Sequence, residues 1–146
     1  MRNKGEKGFS LIELLVVTVV IGIIATIAIP YLRKAVQAAE ARSTRTTLKA
    51  VASTQLSFIG TNSRYGRLSE INNIMSGSIG TPSGTDVTRY QFTISMVPTA
   101  PTDAELRQGY TLTATRNVPG EGMYIYELKE NGRVEQISPA CASECN

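Results

Sequence analysis

The chain contains no histidine among its 146 residues. That removes the commonest catalytic base and the commonest metal ligand at a stroke. Charge is also scarce: 18% of residues are charged, and the net charge is only +3. Arg2, Lys4 and Lys7 against Glu6 account for most of that excess, so the remainder is close to neutral. So weak a positive balance gives no ground for nucleic-acid binding by charge alone. The segments GTPSG and PGEG are rich in glycine, but neither follows a strand to open a helix, as a phosphate-binding loop would. No nucleophile, base and orienting group can be assembled, no internal repeat is visible, and no cofactor or metal site is expected. Cysteine is confined to Cys141 and Cys145 near the C-terminal end. Two close cysteines without histidine fit a small disulfide in an oxidising compartment better than a zinc site. A pair of free thiols in a tail is the plain alternative.

One feature is abundant. FSLIELLVVTVVIGIIATIAI, residues 9–29, is apolar almost throughout. As a helix it would span roughly 31 Å at about 1.5 Å per residue, matching a hydrocarbon core of about 30 Å. Valine, isoleucine and threonine are poor helix formers in water. In lipid, every backbone N–H and C=O must be satisfied within the segment, and that requirement overrides propensity. A cleaved secretory signal would be shorter and would end at a better small-residue site than Thr26-Ile27-Ala28. Positive charges flank the run on both sides, Arg2, Lys4 and Lys7 before it and Arg33, Lys34, Arg42 and Arg45 after it. Their count leaves the orientation open.

Glu13 lies one turn inside this run. An ionised carboxylate in the middle of a bilayer costs on the order of 3 kcal/mol, and less near an interface. It can snorkel to the headgroups or be protonated. Alternatively it can meet a cation, and the span itself offers none. A new amino terminus at Phe9, made by cutting after Gly8, would supply one. Pairing within a chain or between neighbouring helices would then turn an unfavourable group into a marker of register.

The stretch KGFSLIELL resembles the processing signal of type IV prepilins and type II secretion pseudopilins: a short basic leader, then Gly8, Phe9 and Glu13 opening a long apolar run. The resemblance covers about residues 5–40. It implies cleavage between Gly8 and Phe9 by a membrane prepilin peptidase, N-methylation of Phe9, and pairing of Glu13 with a neighbour's amine. It also implies a leader in the cytoplasm and a C-terminal domain outside. IAIPYLRKAVQAAEARS resembles the stretch that follows in pilins, in which the interval matching Gly22 to Pro30 can unwind in the filament.

Beyond the run, Pro30 predicts a kink near residues 26–30. The helix is expected to continue, because Leu32, Val36, Ala39, Leu48, Val51, Ala52, Leu56 and Ile59 recur at amphipathic spacing. Gly60, Thr61 and Asn62 carry turn chemistry that ends it. A short helix is expected around 68–76, then a loop over GSIGTPSGTD. Strands are expected at 89–97, 109–116, 123–129 and 132–138, where the apolar period falls to two. Asn131-Gly132 marks a hairpin between the last two. PTAPTDAELRQ (98–108) reads as a surface connection with at most a helical turn. The expected fold is α+β: residues 1–8 a leader, 9–60 a long helix with 9–29 in the membrane, and 61–146 a head built on a small antiparallel sheet.

Together these imply a non-enzymatic structural subunit, a type IV pilin or minor pilin. It would be held in the inner or cytoplasmic membrane as a precursor and assembled into an extracellular or periplasmic filament. The implied partners are identical or homologous subunits, the prepilin peptidase, an assembly platform with its ATPase, and the lipid bilayer. Nucleic acid enters only if the filament serves DNA uptake. A type II secretion pseudopilin and a single-pass anchored binding module that never polymerises are the alternatives. The resemblance places a disulfide at the C-terminal end, although the interval between Cys141 and Cys145 is shorter than the usual one.

Overall fold

A computed structural model describes residues 9–116, 118–119 and 123–138. Among these residues nine elements follow in chain order: α1 (Leu11–Asn62), α2 (Leu68–Ile74), β1 (Thr81–Ser83), β2 (Asp86–Arg89), β3 (Phe92–Val97), α3 (Asp103–Gln108), β4 (Thr111–Arg116), β5 (Tyr124–Lys129) and β6 (Val134–Ser138). The six strands form one antiparallel sheet in sequential order, a meander. The class is α+β. The chain divides into two compact units with the boundary between Ala38 and Ala39, inside α1.

In the first unit α1 is α-helical without interruption through Pro30. The side-chain hydroxyls within the apolar run find acceptors on the helix itself. Thr18 donates to the Leu15 carbonyl at 2.9 Å and Thr26 to the Gly22 carbonyl at 2.8 Å. A threonine folded back in this way presents its methyl group outward, so it adds no unsatisfied polar group to an apolar face.

In the second unit, Ala41, Thr44, Leu48, Val51, Ala52 and Gln55 form the buried stripe of α1. The spacing is that of a helix packing one face on a sheet. The sheet answers with alternation. Phe92, Ile94 and Met96 of β3, Leu112 and Ala114 of β4, and Tyr126 and Leu128 of β5 share a core with that stripe. Each fully buried leucine, isoleucine or valine contributes about 1.5–3 kcal/mol as an upper estimate. The opposite face carries Thr93, Ser95, Thr113, Thr115 and Glu127, as a half-solvated antiparallel sheet should.

Four strands form where alternation predicts them, and two more form where it does not. The segment expected as a loop, GSIGTPSGTD, contains β1 and most of a tight turn into β2. The turn uses Gly84 at φ +65°, a conformation that favours glycine. Ile79, just upstream, is fully buried. Asn72 of α2 fixes this entry, accepting from the Ile79 N–H at 3.2 Å and donating to the Gly80 carbonyl at 3.1 Å. The expected strand 89–97 is broken at Tyr90-Gln91, where Tyr90 takes φ +53° and turns β2 into β3. α3 occupies the presumed surface connection. Its Thr102 is an N-cap in a capping box, with the Glu105 carboxylate accepting from the Thr102 N–H at 2.8 Å. Leu106 anchors it in the core.

α1 runs the length of the second unit, and its contacts mark that unit's two ends. Where α1 enters, Glu40 lies 3.5 Å from the buried Arg116 of β4, and Arg89 of β2 donates to Ser43 at 3.1 Å. At the far end, the Tyr65 N–H donates to the Leu106 carbonyl at 3.0 Å and the Tyr65 and Tyr110 rings lie 4.8 Å apart.

Candidate assembly segment

The residues singled out by sequence lie at the start of α1 and along its first half. Phe9 lies two residues before the first residue of α1 and is 80% exposed. Ser10 closes the first turn: its carbonyl accepts from the N–H groups of Glu13 at 3.1 Å and Leu14 at 3.2 Å. Glu13 is thus in the first turn, where unsatisfied N–H groups and the helix dipole favour a negative charge. A carboxylate there is less costly than one at mid-helix, and it sits on the side where an amine at Phe9 would lie. Gly8 falls outside the described residues, and so do Cys141 and Cys145.

Around this acid nothing is covered. Fourteen large apolar side chains between Phe9 and Ile29 are exposed. Uncovered apolar surface of this extent marks a membrane or protein contact. α1 is the described helix long and apolar enough to cross a membrane.

Gly22, Thr26 and Pro30 fall on one side of the helix at intervals of one turn. Nothing lies within 4 Å of a side chain built at Gly22. No packing inside the chain therefore demands glycine. Pro30 lacks the N–H that would bond the Thr26 carbonyl, while the Thr26 hydroxyl shares the Gly22 carbonyl. One backbone hydrogen bond is therefore missing from this interval, and a small residue there admits a close neighbour.

Among the described residues no group of three or more histidine, cysteine, aspartate or glutamate side chains could hold a metal ion.

The family described as the prokaryotic N-terminal methylation motif matches residues 3–29, covering the leader, Gly8, Phe9, Glu13 and the apolar run. The chain is 41% identical over 63 residues to the type IV major pilin protein PilA of Myxococcus xanthus (strain DK1622). The N-terminal part of the chain thus carries the methylation motif and is similar to a type IV pilin. The match to the Myxococcus pilin covers 43% of this chain and 29% of that relative, so it spans less than a third of the relative's length. No solved structure matches the chain significantly. A long N-terminal helix whose second half packs on an antiparallel sheet is consistent with the pilin fold.

Sequence reasoning missed the charged cluster that ties α2 to α3. Arg64 grips Glu70 in a two-pronged pair, Nη1 to Oε2 at 2.9 Å and Nη2 to Oε1 at 2.8 Å. Arg67 reaches Asp103 at 2.6 Å. The Arg64 guanidinium holds the Glu70 carboxyl at about 2, well below its usual value of 4.5. Thr102-x-x-Glu105 has the residue types and spacing of a capping box, the sequence signal that could have placed the start of α3, whereas at α2 only the Glu70 carboxylate serves, accepting from the Arg67 N–H at 2.7 Å.

Proposed function

We propose that the chain is a structural subunit of a helical surface filament, a type IV pilin or minor pilin. It is made as a membrane-held precursor, cut between Gly8 and Phe9 by a prepilin peptidase, and methylated at Phe9. A cytoplasmic ATPase-driven platform then lifts it from the bilayer into the filament. The single observation that carries this reading is an uncovered apolar run, residues 9–29, whose one acid, Glu13, lies in the first turn of the helix near Phe9.

The chemistry follows from that placement. In lipid the apolar run is satisfied and the subunit can wait as a reservoir. In the filament, neighbouring helices replace lipid as the apolar surroundings, so the exchange is nearly neutral in hydrophobic energy. Specificity must then come from polar contacts and close packing. The Phe9 amine of one copy and the Glu13 carboxylate of another supply the polar contact. Each copy carries both halves, so the pair fixes axial register and penalises a subunit inserted out of step. Gly22 and Pro30 supply a stretch that packs closely and can change its helical hydrogen bonding on assembly.

Replacing Glu13 tests this directly. Glu13→Ala should leave the processed subunit in the membrane and reduce sheared filaments by at least about tenfold, the consequence of an amine left buried without its partner. Normal filament yield from Glu13→Ala would contradict the pairing, and a wild-type chain that yields no filament, with Glu13→Ala without effect, would favour a single-pass anchored binding module that does not polymerise.

A further inference from the structure

The second unit carries complementary features at its two ends. At the far end lies a depression of about 300 Å³. Val97, Pro98 and Tyr110 give it apolar walls, Gln108 lines it, and Glu105 and Glu130 supply the charge, with no lysine or arginine in its lining. The Glu130 carboxylate has no hydrogen-bond or ion-pair partner among the described residues, and Val97 is 53% exposed although it ends a central strand. A depression that mixes apolar side chains with two acids and no cation suits a group that is aromatic or aliphatic and cationic together.

Such a group sits at the opposite end of the same strand. Tyr90, at the tip of the β2–β3 turn, is 60% exposed. The Arg89 guanidinium lies 5.0 Å from the centre of its ring. Arg89 is itself anchored, donating to the Ser78 carbonyl at 2.8 Å and to Ser43 of α1 at 3.1 Å. The Tyr90 ring is therefore held as a fixed projection rather than left to swing. Next to Ser43 stands Arg42, exposed and with no side-chain partner among the described residues. Tyrosine and arginine are the residue types that most often dominate protein contacts.

β3 links the two features. Tyr90 precedes its first residue and Val97 is its last, roughly 20 Å away at strand rise. A projection at one end of a body and a matching depression at the other make a head-to-tail contact. Repetition of such a contact generates an open helical array rather than a closed dimer.

From this geometry we infer that the heads stack end to end: the Tyr90 projection of one copy enters the Val97–Tyr110 depression of the next, and Arg42 meets Glu130. The occupant is a second copy of this chain, chosen by charge complementarity between its own two ends. The inference rests on the filament reading above and adds a contact between heads to that reading. Charge pairing at this margin sets which neighbour is accepted and in what orientation.

Charge reversal in the full-length chain, in the source bacterium, tests it. Arg42→Glu and Glu130→Arg lie on exposed side chains, so each variant should accumulate as processed subunit at wild-type level. Each alone should lower the sheared filament recovered by about tenfold, and the double variant should return it to within about twofold of wild type. Single variants that assemble normally, or a double variant no better than the singles, would overturn the stacking. If instead the wild-type chain is not cut at Phe9, or is cut and yields no filament, the filament reading itself fails and the stacking with it.

Discussion

Gln55 shows how a polar side chain can define a core. It is fully buried on the α1 stripe. Its amide closes a two-bond ring with one residue, donating to the Gly66 carbonyl at 2.8 Å and accepting from the Gly66 N–H at 2.7 Å. This fastens the chain leaving α1 back onto α1 itself. Gly66 has no room for a side chain, since a Cβ there would lie 2.6 Å from the Ile71 Cδ1. Gln55→Leu keeps the volume but strands two buried backbone groups, which costs about 2–4 kcal/mol. Thermal unfolding of the purified chain in detergent should fall by roughly 8–15 °C. A fall of less than about 2 °C would mean that water satisfies Gly66 as well as Gln55 does. Tyr110 belongs with this packing: burial pushes its hydroxyl up from the usual tyrosine value, so it stays neutral throughout the ordinary pH range.

Among the elements, α2 and α3 are short and depend on charge for their seating. The Arg64–Glu70 pair fastens α2 to the loop that leaves α1, and the Arg67–Asp103 pair ties the start of α2 to the start of α3. Glu70 titrates near 2 in the folded chain against an ordinary value of 4.5, chiefly because of its bonds to Arg64. A depressed acid stabilises the fold fully above its unfolded value, and that contribution is lost as pH falls from 4.5 towards 2. Because the pair is partly exposed, its worth is about 1 kcal/mol after screening. Glu70→Gln should therefore melt a few degrees below wild type at pH 7, and the two curves should converge near pH 2. A gap that does not change with pH would show that Glu70 acts through packing rather than charge.

The elements also differ in how far sequence revealed them. Alternation in RYQFTISMV, GYTLTATR and MYIYELK gave away β3, β4 and β5, because one face of each is buried and the other is not. Asn131-Gly132 marked the last hairpin, and Gly132 does adopt φ +76°. β1 and β2 were hidden because their stability is borrowed: β2 forms by pairing with the edge of β3, and the polar Gly-Ser-Thr segment becomes β1 by pairing in turn with β2. On α1, apolar periodicity misassigned the buried face at both ends. Leu32, Val36 and Leu56 are exposed, whereas polar Thr44 and Gln55 are buried. Of the candidate assembly segment, Phe9, Glu13, Gly22 and Pro30 were all visible as residue types against an apolar background. The depression was not, because β3, α3, β4 and the β5–β6 turn meet there only after folding.

In the whole molecule, one unit has a core and the other has none of its own. Fourteen large apolar side chains left in water between Phe9 and Ile29 would cost roughly 20–40 kcal/mol relative to burial. No marginally stable head could offset that sum. The first unit must be surrounded by lipid or by other helices, and under the proposed processing an amine beside Glu13 would give it a means of passing from one to the other. Whether that amine is made is the fact on which the rest depends. Intact-mass and N-terminal analysis of the chain recovered from cells decides it. The expected result is a mature chain that begins at methylated Phe9 and lacks residues 1–8; a chain that retains Met1 would contradict it.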